Sequence, residues 1–122
     1  MRKQLMKQYV GQCHCGEIRF QFEAEEITTA MRCSCSICRR RSAFLSNFVL
    51  ESEQLKFDPG AGHTRVYQFG THVAKHHFCG NCGIFTHVET RLNPGCSRVN
   101  LGCIDDLDVY SLEVEVFDGT SI

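Results

Sequence analysis

Seven of the nine cysteines lie in three short clusters whose internal spacing is typical of metal ligands. In chain order, the clusters are Cys13 and Cys15, then Cys33, Cys35 and Cys38, then Cys79 and Cys82. Disulfides are the main alternative, but an odd total of nine leaves one thiol over. The N-terminal segment has no apolar signal-peptide core. We therefore expect a cytoplasmic protein whose thiolates bind a metal.

The third cluster has the composition of a metal knuckle, because a glycine follows each cysteine in Cys79-Gly80-Asn81-Cys82-Gly83. Glycine permits positive φ, which lets backbone N–H groups turn toward the sulfurs. A redox CxxC motif stands at a helix N-terminus in a βαβ unit, whereas the residues flanking this cluster predict strands. The sequence therefore favours metal binding here.

The first cluster, a CxC pair, is a weaker signal when taken alone. In an extended segment, residues two apart point to the same side with Cα atoms ~6.6 Å apart, a separation that lets Cys13 and Cys15 share one ion. Two core cysteines on one face of a strand would give the same pattern. Together with the third cluster, the pair supplies four thiolates, the number found in closed structural zinc sites.

The second cluster supplies three ligands within six residues, from Cys33 to Cys38. Three protein ligands and one open position are typical of catalytic zinc. A fourth ligand from Cys96, Cys103 or a histidine stays open, and spacing alone does not decide which clusters share a metal. Arg39, Arg40 and Arg41 follow directly, and arginine binds carboxylates bidentately, although a charged run is also typical of a solvated turn.

Short alternating segments predict a mainly β fold that forms one antiparallel domain with little helix. Phe20 and Phe22 alternate with polar residues, and so does the segment Val109–Phe117, which predicts half-buried strands. Only Cys38–Ala43 and Ile104–Leu107 favour a helical turn. We also expect Phe69 in the core. The single domain spans residues 1–122.

Composition limits the partners that the protein can have. Thirteen basic and fourteen acidic residues give a formal charge of −1, so nucleic acid is not an expected partner. No apolar run approaches the ~20 residues that a membrane span needs. One of His72, His76, His77 and His87 is a candidate general base or a candidate for orienting a metal ligand, although each taken singly is typical of a surface or core histidine.

Three segments occur in a specific order along the chain, namely Gly11–Gly16, Cys33–Arg41 and His76–Gly83, and Val99–Gly102 and Asp105 follow them. This order, from about residue 11 to residue 108, resembles the glutathione-dependent formaldehyde-activating enzyme family, which shares its domain with centromere protein V. Cys96 and Cys103 are not part of the motif.

The resemblance implies a β-tent zinc fold with up to two zinc ions per chain. The structural zinc would be held by Cys13, Cys15, Cys79 and Cys82, and the catalytic zinc by Cys33, Cys35 and Cys38. It also implies a carbon–sulfur lyase that joins a small aldehyde, formaldehyde, to glutathione, whose carboxylates would meet Arg39, Arg40 and Arg41. The alternative is a non-enzymatic, zinc-stabilised binding module.

Overall fold

The computed structural model describes residues 6–58 and 64–119, and this part of the chain is a single, mainly β unit. Its strands are β1 (Met6–Gln12), β2 (Arg19–Glu25), β3 (Thr29–Cys33), β4 (Leu45–Ser46), β5 (Leu50–Glu51), β6 (Lys56–Phe57), β7 (Thr64–Tyr67), β8 (Lys75–Cys79), β9 (Phe85–Glu89), β10 (Cys96–Val99) and β11 (Glu113–Phe117). Among the described residues, the one α-helix is α1 (Ser36–Arg41), and 3₁₀ turns cover Leu101–Cys103 and Val109–Ser111.

The strands form three small sheets, ordered β1-β2-β6, β5-β10-β9-β8-β7 and β11-β3-β4. Neighbouring strands pair antiparallel except β3 and β11, which are parallel. This pair departs from the antiparallel prediction. A parallel pair needs a long crossover, and the whole middle of the chain lies between β3 and β11.

The main core lies between the first sheet and its neighbours. Phe20 and Phe22 are 2% exposed and pack with buried residues of the other elements, which are Leu50, Leu55, Val99, Leu101 and Ile104. The alternation predicted for β2 is therefore confirmed. A smaller cluster of Leu45, Phe85 and Val88 packs against Met31 beside α1.

Three local predictions were wrong. The strand predicted from Val109 begins at Glu113, and all its residues are exposed, Val116 by 74%, because β11 is a sheet edge. No helix is found at Ile104–Leu107, where a helical turn was predicted. The 3₁₀ turns lie before and after this segment. Phe69 is 42% exposed and therefore lies outside the core.

No helix in the described part of the chain is long and apolar enough to cross a membrane.

Gly11 lies where the first sheet has no room for a side chain. A β-carbon there would stand 2.6 and 2.9 Å from carbons of the buried Phe20 ring. We expect Gly11→Ala to lower the free energy of unfolding by about 1–3 kcal/mol through overpacking. Urea unfolding of the metal-loaded protein measures this. Val10→Ala, on the same strand and 49% exposed, should change it by less than ~0.5 kcal/mol. Equal stability of the two variants would contradict this packing.

Candidate metal centres and adjoining pocket

The first and third cysteine clusters occupy two hairpin turns of similar construction. Cys13 begins the turn between β1 and β2, and Cys79 ends β8 at the turn into β9. In both turns the cysteine N–H donates to the carbonyl five residues later, at 3.0 and 2.9 Å. Gly16 and Gly83, with φ of 82° and 80°, complete the two turns. Cys13 and Cys15 thus lie in a turn and not in the extended segment that the sequence predicted.

The two turns bring four sulfur atoms together. Cys15 Sγ lies 3.6 Å from Cys13 Sγ and 3.7 Å from Cys79 Sγ, and with Cys82 Sγ all four lie within 4.8 Å of one another. Sulfurs bound tetrahedrally to zinc at about 2.3 Å stand roughly 3.8 Å apart. The four cysteines therefore fit a tetrahedral metal ion, and we refer to them as the four-cysteine centre.

Backbone N–H groups donate hydrogen bonds to the sulfurs of this centre. The Ile18 N–H donates to Cys13 Sγ at 3.3 Å, and those of Asn81 and Cys82 donate to Cys79 Sγ at 3.3 and 3.4 Å. Such bonds hold a ligand in orientation and delocalise thiolate charge. Cys13 and Cys79 are also fully buried, packed with Ile18, so water is excluded from this side of the centre.

The second cluster is a three-cysteine centre at the start of the helix. Cys33 ends β3, Cys35 is the N-cap of α1, and Cys38 lies within α1. Their sulfurs lie within 4.8 Å of one another, and all three residues are half-buried. Burial raises the pKa of the Cys38 thiol, and the charges of Cys33 and Cys35 raise it further. A cation bound between the sulfurs would instead favour the thiolate forms, so the three cysteines suit a soft metal ion.

Among the described residues, no fourth histidine, cysteine or carboxylate joins the three-cysteine centre. Cys103 is buried, and its thiol donates weakly to Phe85 O at 3.6 Å. Burial raises the pKa of Cys103 to about 12, so its sulfur stays a neutral thiol. Cys96 is half-buried on β10, outside both centres.

The chain's C-terminal segment packs directly onto this centre. The Ser34 N–H donates to Phe117 O at 3.0 Å, and the Gly119 N–H donates to Ser34 Oγ at 3.1 Å. A β-carbon on Gly119 would clash with Cys33 Sγ and would stand 2.8 Å from Cys35 Cβ. Only a residue without a side chain allows this approach.

A pocket of about 610 Å³ opens beside the three-cysteine centre, and all three of its cysteines line the pocket. Two loops flank it, one between β7 and β8 and the other between β9 and β10. Arg91 and Arg98 are the arginines among its described lining residues. Arg98 donates to Ser46 O at 2.9 Å; burial lowers its pKa, and the nearby Cys33 charge opposes that change. The volume is that of a small-molecule site.

Comparison with known proteins matches residues 8–120 to the family described as glutathione-dependent formaldehyde-activating enzyme. The chain belongs to this family. A Halomonas elongata protein that provisionally carries the same description is 34% identical over 79 aligned residues, which cover 59% of this chain and 50% of that protein. The chain thus spans about half the length of this curated relative.

A crystal structure of a Rhodobacter sphaeroides protein, a structural genomics target, superposes with a TM-score of 0.77 at 35% identity. The match covers 87% of this chain and 99% of that one. The two structures are therefore alike over most of this chain's fold, and not only around the cysteine motifs.

The three arginines that follow the second cysteine cluster of this chain differ from one another in burial and contacts. Arg39 and Arg40 are exposed, and Arg40 bonds back to the helix at Ser36 O. Arg41 is half-buried, lies 3.6 Å over the Phe85 ring and donates from both terminal nitrogens toward His76 Nδ1 at 3.2 Å. None of the three is among the described residues that line the pocket. Arg41 instead ties α1 to the β8–β9 hairpin.

The four candidate histidines also separate once the strands are in place. His76 and His77 are neighbours on β8 and so point to opposite faces. His76 lines the pocket and is 5% exposed. His77 pairs with Glu89 at 2.7 Å and stacks on His87 with ring centroids 4.2 Å apart. His72 is exposed, so of the four it is His76 that stands beside the three-cysteine centre.

Sequence reasoning missed Arg91 and Arg98, since they come from a loop and a strand far along the chain. It also missed Gly119, whose neighbours Phe117 and Asp118 carry no metal-binding pattern. The only sequence signal was a glycine that ends a strand-like segment, which is also typical of an ordinary turn.

We expect Gly119→Ala to displace Cys33 and Cys35 and to cut the metal content of the purified protein by about half, because three-ligand sites are sensitive to ligand position. Elemental analysis measures the metal, and far-ultraviolet circular dichroism checks the fold. Gly102→Ala is the matched control, an exposed glycine whose β-carbon would meet only the Asn100 side chain. Unchanged metal content in Gly119→Ala would contradict the tight packing at this centre.

Proposed function

We propose that the protein is a zinc-dependent carbon–sulfur lyase that joins glutathione, or a related thiol, to a small aldehyde and also catalyses the reverse reaction. In the forward direction a sulfur–carbon bond forms, the carbonyl π bond breaks, and the thiol proton ends on the former carbonyl oxygen. The product is an S-hydroxyalkyl adduct, and no oxidant or reductant is needed. The family match and the relative's description support this reaction class.

The observation that carries the proposal is the three-cysteine centre in the wall of a pocket. A four-cysteine centre without a pocket would serve only stability, whereas Cys33, Cys35 and Cys38 face a space of about 610 Å³. We assign a catalytic zinc to these three and a structural zinc to the four-cysteine centre, two ions per chain. When bound, the catalytic zinc supplies a position for a substrate thiolate.

The pocket also offers cations for the carboxylates of glutathione. Arg98 lies near Cys33, and Arg91 stands exposed in the loop between β9 and β10. Guanidinium groups bind carboxylates through paired charge-assisted hydrogen bonds. We propose Arg91 and Arg98 as the primary contacts. The contacts predicted for Arg39, Arg40 and Arg41 remain a second hypothesis for an extended ligand.

His76 is suited to donate a hydrogen bond. Burial, together with the charges of Arg41 and His77, lowers its pKa to about 4, so the ring is neutral at pH 7. Arginine has no acceptor atom, so His76 Nδ1 must accept from Arg41, and the ring proton is on Nε2. A neutral donor in this pocket stabilises charge that develops on an aldehyde oxygen.

The β-tent designation and the cytoplasmic location remain predictions from the sequence. The competing function, a non-enzymatic zinc-stabilised binding module, would need neither a pocket-lining centre nor a neutral donor beside it.

Formaldehyde consumption by the zinc-loaded protein should depend on glutathione and vanish in Cys35→Ser, because two sulfurs alone leave the second zinc weakly held. A colorimetric assay of free formaldehyde measures the rate above the spontaneous reaction. Cys96→Ser is the matched control, since Cys96 is half-buried and lies outside both centres. Its rate should equal that of the parent protein.

Arginine variants in the same assay distinguish the two carboxylate sites. Arg91→Ala should raise the half-saturating glutathione concentration about three- to tenfold, the range for losing one partly solvated charge-assisted bond. A rise of that size in Arg39→Ala alone would support the sequence-based assignment instead. Zinc-loaded protein that neither binds a thiol nor consumes formaldehyde would favour the binding module.

A further inference from the structure

The pocket beside the three-cysteine centre is mostly apolar, which a one-carbon aldehyde does not require. Its inner wall is formed by Leu45 and Val88, which are 3% and 6% exposed, together with the partly buried Met31. Phe69 and Leu92, 42% and 61% exposed, bring apolar surface to its outer part. This surface is continuous with the small core cluster on which α1 rests.

Glutathione itself is a poor match for the inner wall. Its peptide groups would lose their hydrogen bonds to water there without finding partners. Its ammonium group would find no carboxylate, because none of the described lining residues is acidic. The peptide is better accommodated near the loop that holds Arg91, with its sulfur at the cysteines. The inner wall is then available to the group that is bonded to the glutathione sulfur.

We propose that the aldehyde partner carries an apolar chain or ring, which packs on Met31, Leu45 and Val88 when its glutathione adduct is bound. This inference rests on the proposed function and names its substrate class. The thiol adds to the aldehyde carbon, the sulfur–carbon bond forms, and the thiol proton passes to the carbonyl oxygen, so the step balances without a further reactant. Formaldehyde is then a small substrate that leaves the apolar wall unfilled.

Two stable thioethers, S-methylglutathione and S-hexylglutathione, separate the contribution of the chain from that of the peptide. Calorimetric titration of the zinc-loaded protein should show at least about tenfold tighter binding of the hexyl compound, since each fully buried methylene contributes about fourfold. In glutathione-dependent turnover, hexanal should show a higher kcat/KM than formaldehyde.

Met31→Gln tests the inner wall with limited risk to the core, because Met31 is only partly buried and the two side chains are of similar length. The variant should narrow the hexyl-to-methyl affinity ratio about threefold or more. Val73→Asn is the control: Val73 is 41% exposed, lies in the loop between β7 and β8 and does not line the pocket. Its ratio should equal that of the parent protein.

Equal affinities for the two thioethers, or consumption of formaldehyde but not of hexanal, would overturn the inference and leave the proposed lyase standing. Failure to consume either aldehyde in the presence of glutathione would overturn the lyase itself, whatever the affinity ratio.

Discussion

The convergence of four cysteine sulfurs from two hairpin turns is the constraint on which the rest of the described structure depends. The β1–β2 hairpin belongs to one sheet and the β8–β9 hairpin to another, and the four sulfurs meet where their turns face each other. A shared cation would hold these four sulfurs together, since neutral thiols attract one another only weakly. An ion bound here would therefore fix the two sheets relative to each other.

The β8–β9 hairpin carries this constraint to the second centre. Cys79 at its turn belongs to the four-cysteine centre, whereas His76, three residues earlier and ~10 Å along an extended strand, lines the pocket. Arg41 then connects α1 to the same hairpin by stacking on Phe85 and donating to His76. The hairpin thus links the four-cysteine centre at its turn to the helix that holds Cys38, beside the centre that faces the pocket.

Short-range sequence patterns predicted those features of the structure that depend on residues close together in the chain. The mainly β class and the family were recognisable because strand alternation and cysteine spacing are short-range signals. The meeting of Cys13 with Cys79 followed only from counting ligands, and the hairpin turns that accomplish it were missed. A turn around Cys13 depends on the φ of Gly16, which a CxC spacing does not express.

The pocket could not be predicted, because it depends on packing between distant segments. Periodicity predicted a half-buried strand at the C-terminus, but β11 is an uncovered edge, and Gly119, two residues after its end, approaches Cys33. Charge spacing favoured Arg39 to Arg41, yet an arginine's role is set by what surrounds it. Arg41 packs on an aromatic ring, while Arg91 and Arg98 reach the pocket from separate elements.

X-ray absorption at the zinc edge of the purified protein tests whether the two cysteine centres hold zinc, because it reports the ligands around the metal. Four sulfurs at one centre and three at the other predict an average of about 3.5 sulfurs per zinc at about 2.3 Å, with a minor shell of lighter atoms. A shell dominated by nitrogen or oxygen, or disulfides among these seven cysteines in reduced preparations, would contradict the account.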